Sequence, residues 1–123
     1  MSMSDYTTLP QGLIAAVTRI VNRYTSAEPI GRGELVDLVR RAGFDVTERT
    51  VREAIKQARR LGTLLLSAPG TNGGYFAARD MGEFEAFDRT EYGAKIADMA
   101  ETRAAMRRAA EREFGAVEQM RWF

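Results

Sequence analysis

The stretch from Thr47 to Gly62 constrains the fold of this 123-residue chain more than any other. Its apolar residues recur at helical spacing and form one continuous stripe: Val51, Ala54, Ile55, Ala58 and Leu61. Thr47 is a favourable N-cap residue, and Glu48 places a carboxylate where it complements the helix dipole. Gly62 fits the C-terminal stop. We therefore predict a helix over 47–61 with one face buried in a core.

The face opposite this stripe is basic. It carries three cations and one carboxylate, with a hydroxyl and another guanidinium at its edges: Arg49, Lys56, Arg60, Glu53, Thr50 and Arg52. On an ordinary solubilising face, Lys and Glu usually alternate into i,i+4 pairs. Here Arg49 and Glu53 form one such pair, which alone could be structural. Guanidinium and ammonium groups can contact guanine or phosphate, and threonine can contact a base edge. The pattern indicates a nucleic-acid-binding face, with a solvated helix face as the alternative.

Composition excludes several other chemistries. The chain has no cysteine and no histidine, so disulfides, zinc knuckles, thiol nucleophiles and imidazole bases are all ruled out. Acidic pairs at 83/85, 98/101 and 111/113 alternate with arginines, which is typical of a charge-balanced helix face. We expect no catalytic residue, metal or cofactor, no small-molecule substrate, and hence no enzyme.

The overall charge is close to neutral but unevenly distributed. The formal net charge is +1, yet residues 47–60 carry five basic against two acidic groups. This local surplus is the kind of footprint that a nucleic-acid-binding surface needs. No apolar run approaches the ~20 residues that span a bilayer. We therefore expect a cytoplasmic protein, in a bacterium or a phage-infected host cell, with no membrane partner.

Two shorter helices and a β-hairpin surround the basic segment in the predicted fold. A helix is expected after Pro10 and a second from about Gly33 to Ala42, with Gly43 as its stop. Residues 63–78 read as two strands joined by the turn-forming stretch 68–74. Residues 1–8 are short and polar, and we expect them to be flexible.

From about Met81 onwards the pattern is helical again. An apolar stripe spaced by four and three residues runs over nearly three heptads and continues with a slip: Tyr92, Ile96, Met99, Met106, Ala110, Phe114 and Val117. The segment forms either one straight helix or two helices with a bend near 89–93. We expect this stripe to form a dimer or higher homo-oligomer, or else to fold back on the first helix. Arg103 lies in the stripe and would favour a weak or antiparallel pairing.

Two segments resemble a known fold family. Residues 33–61 look like a helix-turn-helix of the winged type, and the core of the match is Thr-Glu-Arg-Thr-Val-Arg-Glu-Ala-Ile at 47–55. Gly-Gly-Tyr-Phe-Ala-Ala at 73–78 is similar to the wing strand of many such proteins. A hairpin that leads into a long charged helix also resembles small phage or prophage winged-helix proteins. The resemblance covers roughly residues 11–80.

The resemblance implies a double-stranded DNA-binding protein that inserts the helix at about 47–61 into the major groove. Its expected contact residues include a second-helix arginine and two hairpin-tip residues: Arg32, Thr47, Arg49, Thr50, Arg52, Lys56, Arg60, Thr71 and Asn72. Arg59 is a further candidate for a phosphate contact. The chain departs from a strong DNA-binding wing because 68–74 contains no Lys or Arg.

The predicted fold class is α+β, mainly α with a small β-hairpin, as a winged helix-turn-helix followed by a long C-terminal helix. The expected parts are a flexible N-terminus at 1–8, a DNA-binding domain at 9–80 and an oligomerisation element at 81–123. The implied role is transcriptional regulation, or replication and origin recognition in a phage. A protein-interaction module without DNA binding and a terminase-like packaging subunit are the alternatives.

Overall fold

The computed structural model describes residues 8–70 and 73–115. They divide into two compact units, Met1–Phe84 and Glu85–Phe123, each described here by itself. The elements follow in the order α1 (Leu13–Val21), β1 (Ile30–Gly31), α2 (Arg32–Arg41), α3 (Glu48–Arg60), β2 (Leu65–Ser67), β3 (Gly74–Ala77), α4 (Met81–Asp88), the π-helical turn π1 (Arg89–Gly93), α5 (Ala94–Ala110) and the π-helical turn π2 (Glu111–Gly115). The chain is therefore α+β and mainly helical, as predicted.

The core of the N-terminal unit lies between α1, α2 and α3. These helices pack against one another, and the same apolar side chains that set their periodicity are buried. The largest fully buried ones come from all three helices and from the strands: Leu13, Val17, Leu35, Val39, Ile55, Ile30 and Leu65. Helix α1 begins at Leu13, later than predicted, because Gly12 has a left-handed backbone with φ 83°. Burial of these apolar side chains supplies most of the stabilisation of helices as short as these.

Helix α3 has the predicted start, and its apolar stripe is buried except at the C-terminal end. Thr47 is the N-cap, and its side chain accepts a hydrogen bond from the Thr50 amide. Val51, Ala54, Ile55 and Ala58 are all buried. Leu61, which was expected to continue the stripe, is 75% exposed. It is the C-cap residue, where the chain turns away from the helix axis.

Helices α2 and α3 end in the same kind of turn. Each turn has an arginine, a glycine three residues later and a carbonyl group six residues later: Arg40, Gly43 and Val46 after α2, and Arg59, Gly62 and Leu65 after α3. Both glycines have positive φ, 104° and 92°, and each amide donates to the carbonyl of its arginine at 3.0 Å. Each arginine Nε then donates to the later carbonyl, at 2.9 Å after α2 and 2.7 Å after α3. The arginine thus fixes the direction in which the chain leaves the helix.

The predicted hairpin is one part of a three-stranded antiparallel sheet, and the prediction of a hairpin alone was wrong. Strands β2 and β3 pair as expected, with Leu66 opposite Phe76. The short strand β1 adds to the other edge of β3, giving the order β1-β3-β2. It pairs Gly31 with Gly74, and a Cβ at Gly74 would lie 1.9 Å from the Ile30 carbonyl oxygen. The glycine therefore permits the close approach of the two strands.

The C-terminal unit is helical throughout its described part, through Gly115. Helix α4 crosses the boundary between the units and runs directly into π1, which is followed by α5 and π2. The backbone at Gly93, where a bend was considered, is right-handed helical, and π1 takes the place of a break. The edge-to-face contact between Phe87 and Tyr92, 5.6 Å between ring centroids, spans this turn.

Candidate nucleic-acid interface

The outward face of α3 carries four exposed cations. Arg49, Arg52, Lys56 and Arg60 are all exposed, whereas the opposite face of the helix is buried in the core. Within residues 8–70 and 73–115, none of the four is held in a hydrogen bond or an ion pair. The predicted ion pair between Arg49 and Glu53 is likewise not formed among these residues. The cationic groups are therefore free to bind a ligand.

The two threonines at the start of α3 have a structural use. Thr47 Oγ1 accepts from the Thr50 amide at 3.2 Å and lies 3.0 Å from Thr50 Oγ1, with which it shares a hydrogen bond. Thr47 is exposed, while Thr50 is half-buried. A cap of this kind fixes the first turn, and with it the direction of the Arg49 side chain. Whichever hydroxyl donates, Thr50 Oγ1 keeps spare acceptor capacity for a further partner.

Arg59 and Arg60 are adjacent in sequence but have different roles. Besides the bond to Leu65, Arg59 donates through a terminal nitrogen to Ser67 Oγ at 2.8 Å, so it ties α3 to strand β2. It is half-buried, and this internal role argues against the phosphate contact considered for it from the sequence. Arg60 points to solvent and remains a candidate. The sequence marks the two turns, since Arg-Arg-X-Gly occurs at both 40–43 and 59–62, but it does not show which arginine of each pair donates.

Arg32 lies where the sheet meets the second helix. It is the first residue of α2, directly after β1, and is exposed. Gly31 before it pairs with Gly74, the first residue of β3 after the hairpin loop, so Arg32 lies near the loop end of the hairpin. Thr71 and Asn72, the predicted contacts at the hairpin tip, lie outside the described residues. The described flank of the tip is shaped by Gly73, where a Cβ would lie 2.3 Å from the Ala68 carbonyl oxygen.

The exposed cations of α3 extend along most of the helix. Arg49 and Arg60 are eleven residues apart, which is about 17 Å along a helix. The major groove of B-DNA is about 12 Å wide and accepts an α-helix. With Arg59 committed to the fold, Arg49, Arg52, Lys56 and Arg60 face solvent alongside two carboxylates, so the surplus that the helix offers outward is positive. Such a face attracts a polyanion.

The acidic residues of α4 are explained by the helix start. Asp80 Oδ1 accepts from the Glu83 amide, and Glu83 Oε1 accepts from the Arg79 amide, each at 2.8 Å. This reciprocal arrangement resembles a capping box and satisfies amides that the helix cannot. In the described part of the chain, no group of three acidic residues is placed to hold a metal ion. No helix there has both the length and the apolar character that crossing a bilayer requires.

The residues predicted for oligomerisation are exposed wherever the structure describes them. Ile96 is 65% exposed and Met99 and Met106 are each 69% exposed, although all three are large and apolar. Phe114 is 61% exposed and Tyr92 40%, and Ala110 is exposed as well. Val117 lies outside the described residues.

No protein-family model, no curated protein and no solved structure matches this chain.

Proposed function

We propose that the protein binds double-stranded DNA, with α3 as a recognition helix in the major groove. The single observation that carries the proposal is a set of exposed cations, without partners among the described residues, on the outward face of a helix whose other face is buried in the core. In the proposed fold, α2 and α3 form a helix-turn-helix and β2 and β3 form the wing, so that the N-terminal unit is a winged helix. The role is recognition rather than catalysis.

The contacts divide by chemistry. Arginines present five donors in a planar fork and can grip guanine, so Arg49 and Arg52 near the start of α3 are the proposed base readers. Lys56 and Arg60, farther along the helix, and Arg32 are the proposed phosphate contacts. Thr47 and Thr50 support the first turn through their cap. Because the overall charge is near neutral, non-specific affinity should be modest.

A binding experiment on the full chain tests this proposal. Duplexes selected from a random pool are bound to the wild type and to a triple variant with Arg49, Arg52 and Lys56 replaced by alanine. The expected results are loss of selected-site binding and a salt slope that falls by about 1 for each phosphate contact removed. This outcome fits a regulator or an origin-recognition factor equally well.

The matched control removes the same charge elsewhere. Arg19, Arg23 and Arg108 are exposed cations outside α3, and their triple alanine variant should bind within about twofold of the wild type, because none of the three is a proposed contact. Equal loss in both triple variants would show a diffuse charge effect and contradict the proposal. If selection yields no bound duplex at all, the alternative of a protein-interaction module is favoured.

A further inference from the structure

The described part of the C-terminal unit leaves an apolar stripe uncovered. No residue of α5 is buried, and the large apolar residues at 96, 99 and 106 are 65% to 69% exposed in the part of the chain that the structure describes. They share one side of the helix with Arg103, Ala110 and Phe114, and from Met99 onwards this side lines a shallow groove. An exposed stripe of this size on a regular helix marks an association surface.

The turn π2 keeps this stripe on one side. The spacing from Met106 to Ala110 to Phe114 is four and four, whereas a heptad pattern alternates four and three. A π-helical turn accommodates one extra residue, and π2 covers residues 111–115, where the extra residue occurs. Phe114 therefore lies in the same groove as Met106. The backbone irregularity matches the slip in the sequence.

Charge along this helix is strongly polarised. Residues 85–101 carry five acidic and two basic side chains, a balance of −3, and residues 102–115 carry four basic and two acidic, a balance of +2. The helix dipole favours this sense of charge but acts only within the first and last turns. The asymmetry here extends over about 30 residues. A partner helix whose charges run in the opposite order would place opposite charges side by side along the whole length of this segment.

We propose that this face binds a second copy of the same chain, with the two helices antiparallel. Antiparallel pairing sets the acidic half of each helix against the basic half of the other, whereas parallel pairing sets like charges side by side. The stripe also has a register that suits it. If residue numbers on facing positions add up to 202, each layer joins unlike positions of the heptad: Tyr92 with Ala110, Ile96 with Met106, and Met99 with Arg103.

Arg103 provides the strongest argument for this orientation. In a parallel pair it would face the same residue of the other copy, and two guanidinium groups would be brought together in the seam. In the antiparallel register it faces Met99 instead. Its aliphatic stem can pack on the thioether while the guanidinium reaches out beside the other copy's Asp98, which also borders the groove.

The inference is independent of DNA binding. It rests on α5, its exposed side chains and its charge order, and none of the α3 cations takes part. Association can be measured with no nucleic acid present. A protein that pairs but does not bind a duplex would therefore contradict the proposed function alone.

Cysteine cross-linking on the full chain tests the orientation directly, because the natural sequence has no cysteine. Ile96→Cys and Met106→Cys variants of different mass are mixed in a glutathione redox buffer. Antiparallel pairing predicts a disulfide between the two variants. It predicts none within either variant alone, because identical positions would then be about 15 Å apart along the axis. A disulfide formed by Met106→Cys alone would show parallel pairing and overturn the proposal.

Two charge reversals on α5 test which face of the helix forms the interface between the two copies. Arg103→Glu should weaken dimerisation by about tenfold or more, measured by light scattering or sedimentation, because it puts a carboxylate into the stripe. Arg108→Glu makes the same charge change almost opposite the stripe and should change the dissociation constant by less than about threefold. Equal effects from both variants would overturn the proposed face. So would a monomer mass at all concentrations, or the absence of every cross-link.

Discussion

Helices α3 and α5 are both amphipathic, but the structure uses them in opposite ways. In α3 the apolar side is buried in the core up to Ala58, and the four exposed cations opposite it have no hydrogen-bond or ion-pair partner among the described residues. In α5 no side chain is buried, and the apolar side itself is left exposed. A helix that has buried its apolar stripe can offer only polar chemistry to a ligand. A helix that has not buried it still needs an apolar partner.

The difference assigns one surface to each unit. The N-terminal unit has a finished core and presents cations on a rigid helix, which suits recognition of a polyanion. The C-terminal unit leaves the apolar side of α5 exposed, which suits association between chains. Both assignments follow from where the apolar residues lie, which is in the core for α3 and at the surface for α5. The following predictions test this contrast.

The largest effect is expected from Gly74→Ala. The new Cβ would lie 1.9 Å from the Ile30 carbonyl oxygen, so β1 must separate from β3. We expect the free energy of unfolding of the N-terminal unit to fall by about 3 kcal/mol or more. Urea unfolding followed by circular dichroism measures it. Gly33→Ala is the control, because nothing lies within 4 Å of its Cβ and the helix should gain up to about 1 kcal/mol.

Arg59 and Arg60 should separate stability from binding. Arg59→Ala removes the hydrogen bonds to Leu65 and Ser67, and we expect a loss of roughly 2–3 kcal/mol in the free energy of unfolding. Arg60→Ala should change stability by less than about 0.5 kcal/mol but weaken duplex binding. Denaturant titration and fluorescence anisotropy distinguish the two. Equal losses of stability in both variants would show that Arg59 does not have a structural role that Arg60 lacks.

Arg49 and Lys56 should differ in the kind of binding that they lose. If Arg49 grips a base, Arg49→Ala costs about 1–3 kcal/mol on the selected site and little on unrelated duplexes. If Lys56 contacts a phosphate, Lys56→Ala weakens binding evenly on all duplexes and lowers the salt slope by about 1. Anisotropy titrations at several salt concentrations measure both. Identical behaviour of the two variants on every duplex would contradict this division.

The smallest effect is expected at the start of α3. Thr47→Ala removes the acceptor for the Thr50 amide and should destabilise the N-terminal unit by about 1 kcal/mol. Thr47→Ser keeps the hydroxyl and should recover most of that loss. Thermal unfolding of the two variants provides the comparison. An alanine variant as stable as the wild type would show that the cap contributes little to the basic helix.

Much of the N-terminal unit could be predicted from the sequence, because its signals are local. The stripe and cap of α3 and the glycine stops at 43 and 62 all depend on neighbours within one turn. Strand β1 could not be predicted, since two residues have no periodicity and their pairing partner is more than 40 residues away. The exposure of Leu61 was missed for a related reason. It lies in the turn after α3, where helical periodicity no longer applies.

The candidate site could be predicted in part. The helical periodicity over 47–61 correctly predicted that four cations face solvent: Arg49, Arg52, Lys56 and Arg60. It could not separate Arg59 from Arg60, because only the position of the following strand shows which guanidinium meets a carbonyl group. In the C-terminal unit, the slip in the stripe was visible, but the π-helical turn that accommodates it was not.

Photo-cross-linking from α3 tests the central claim most directly. A cysteine introduced in place of Arg52 is labelled with a benzophenone and irradiated with a selected duplex, and the same is done at Arg19 and at Arg108. All three positions are exposed, so labelling should be equal. We predict that the α3 position cross-links to DNA and the other two do not. Cross-linking from Arg19 or Arg108 but not from α3 would show that another surface binds the duplex, and the account given for the basic helix would be wrong.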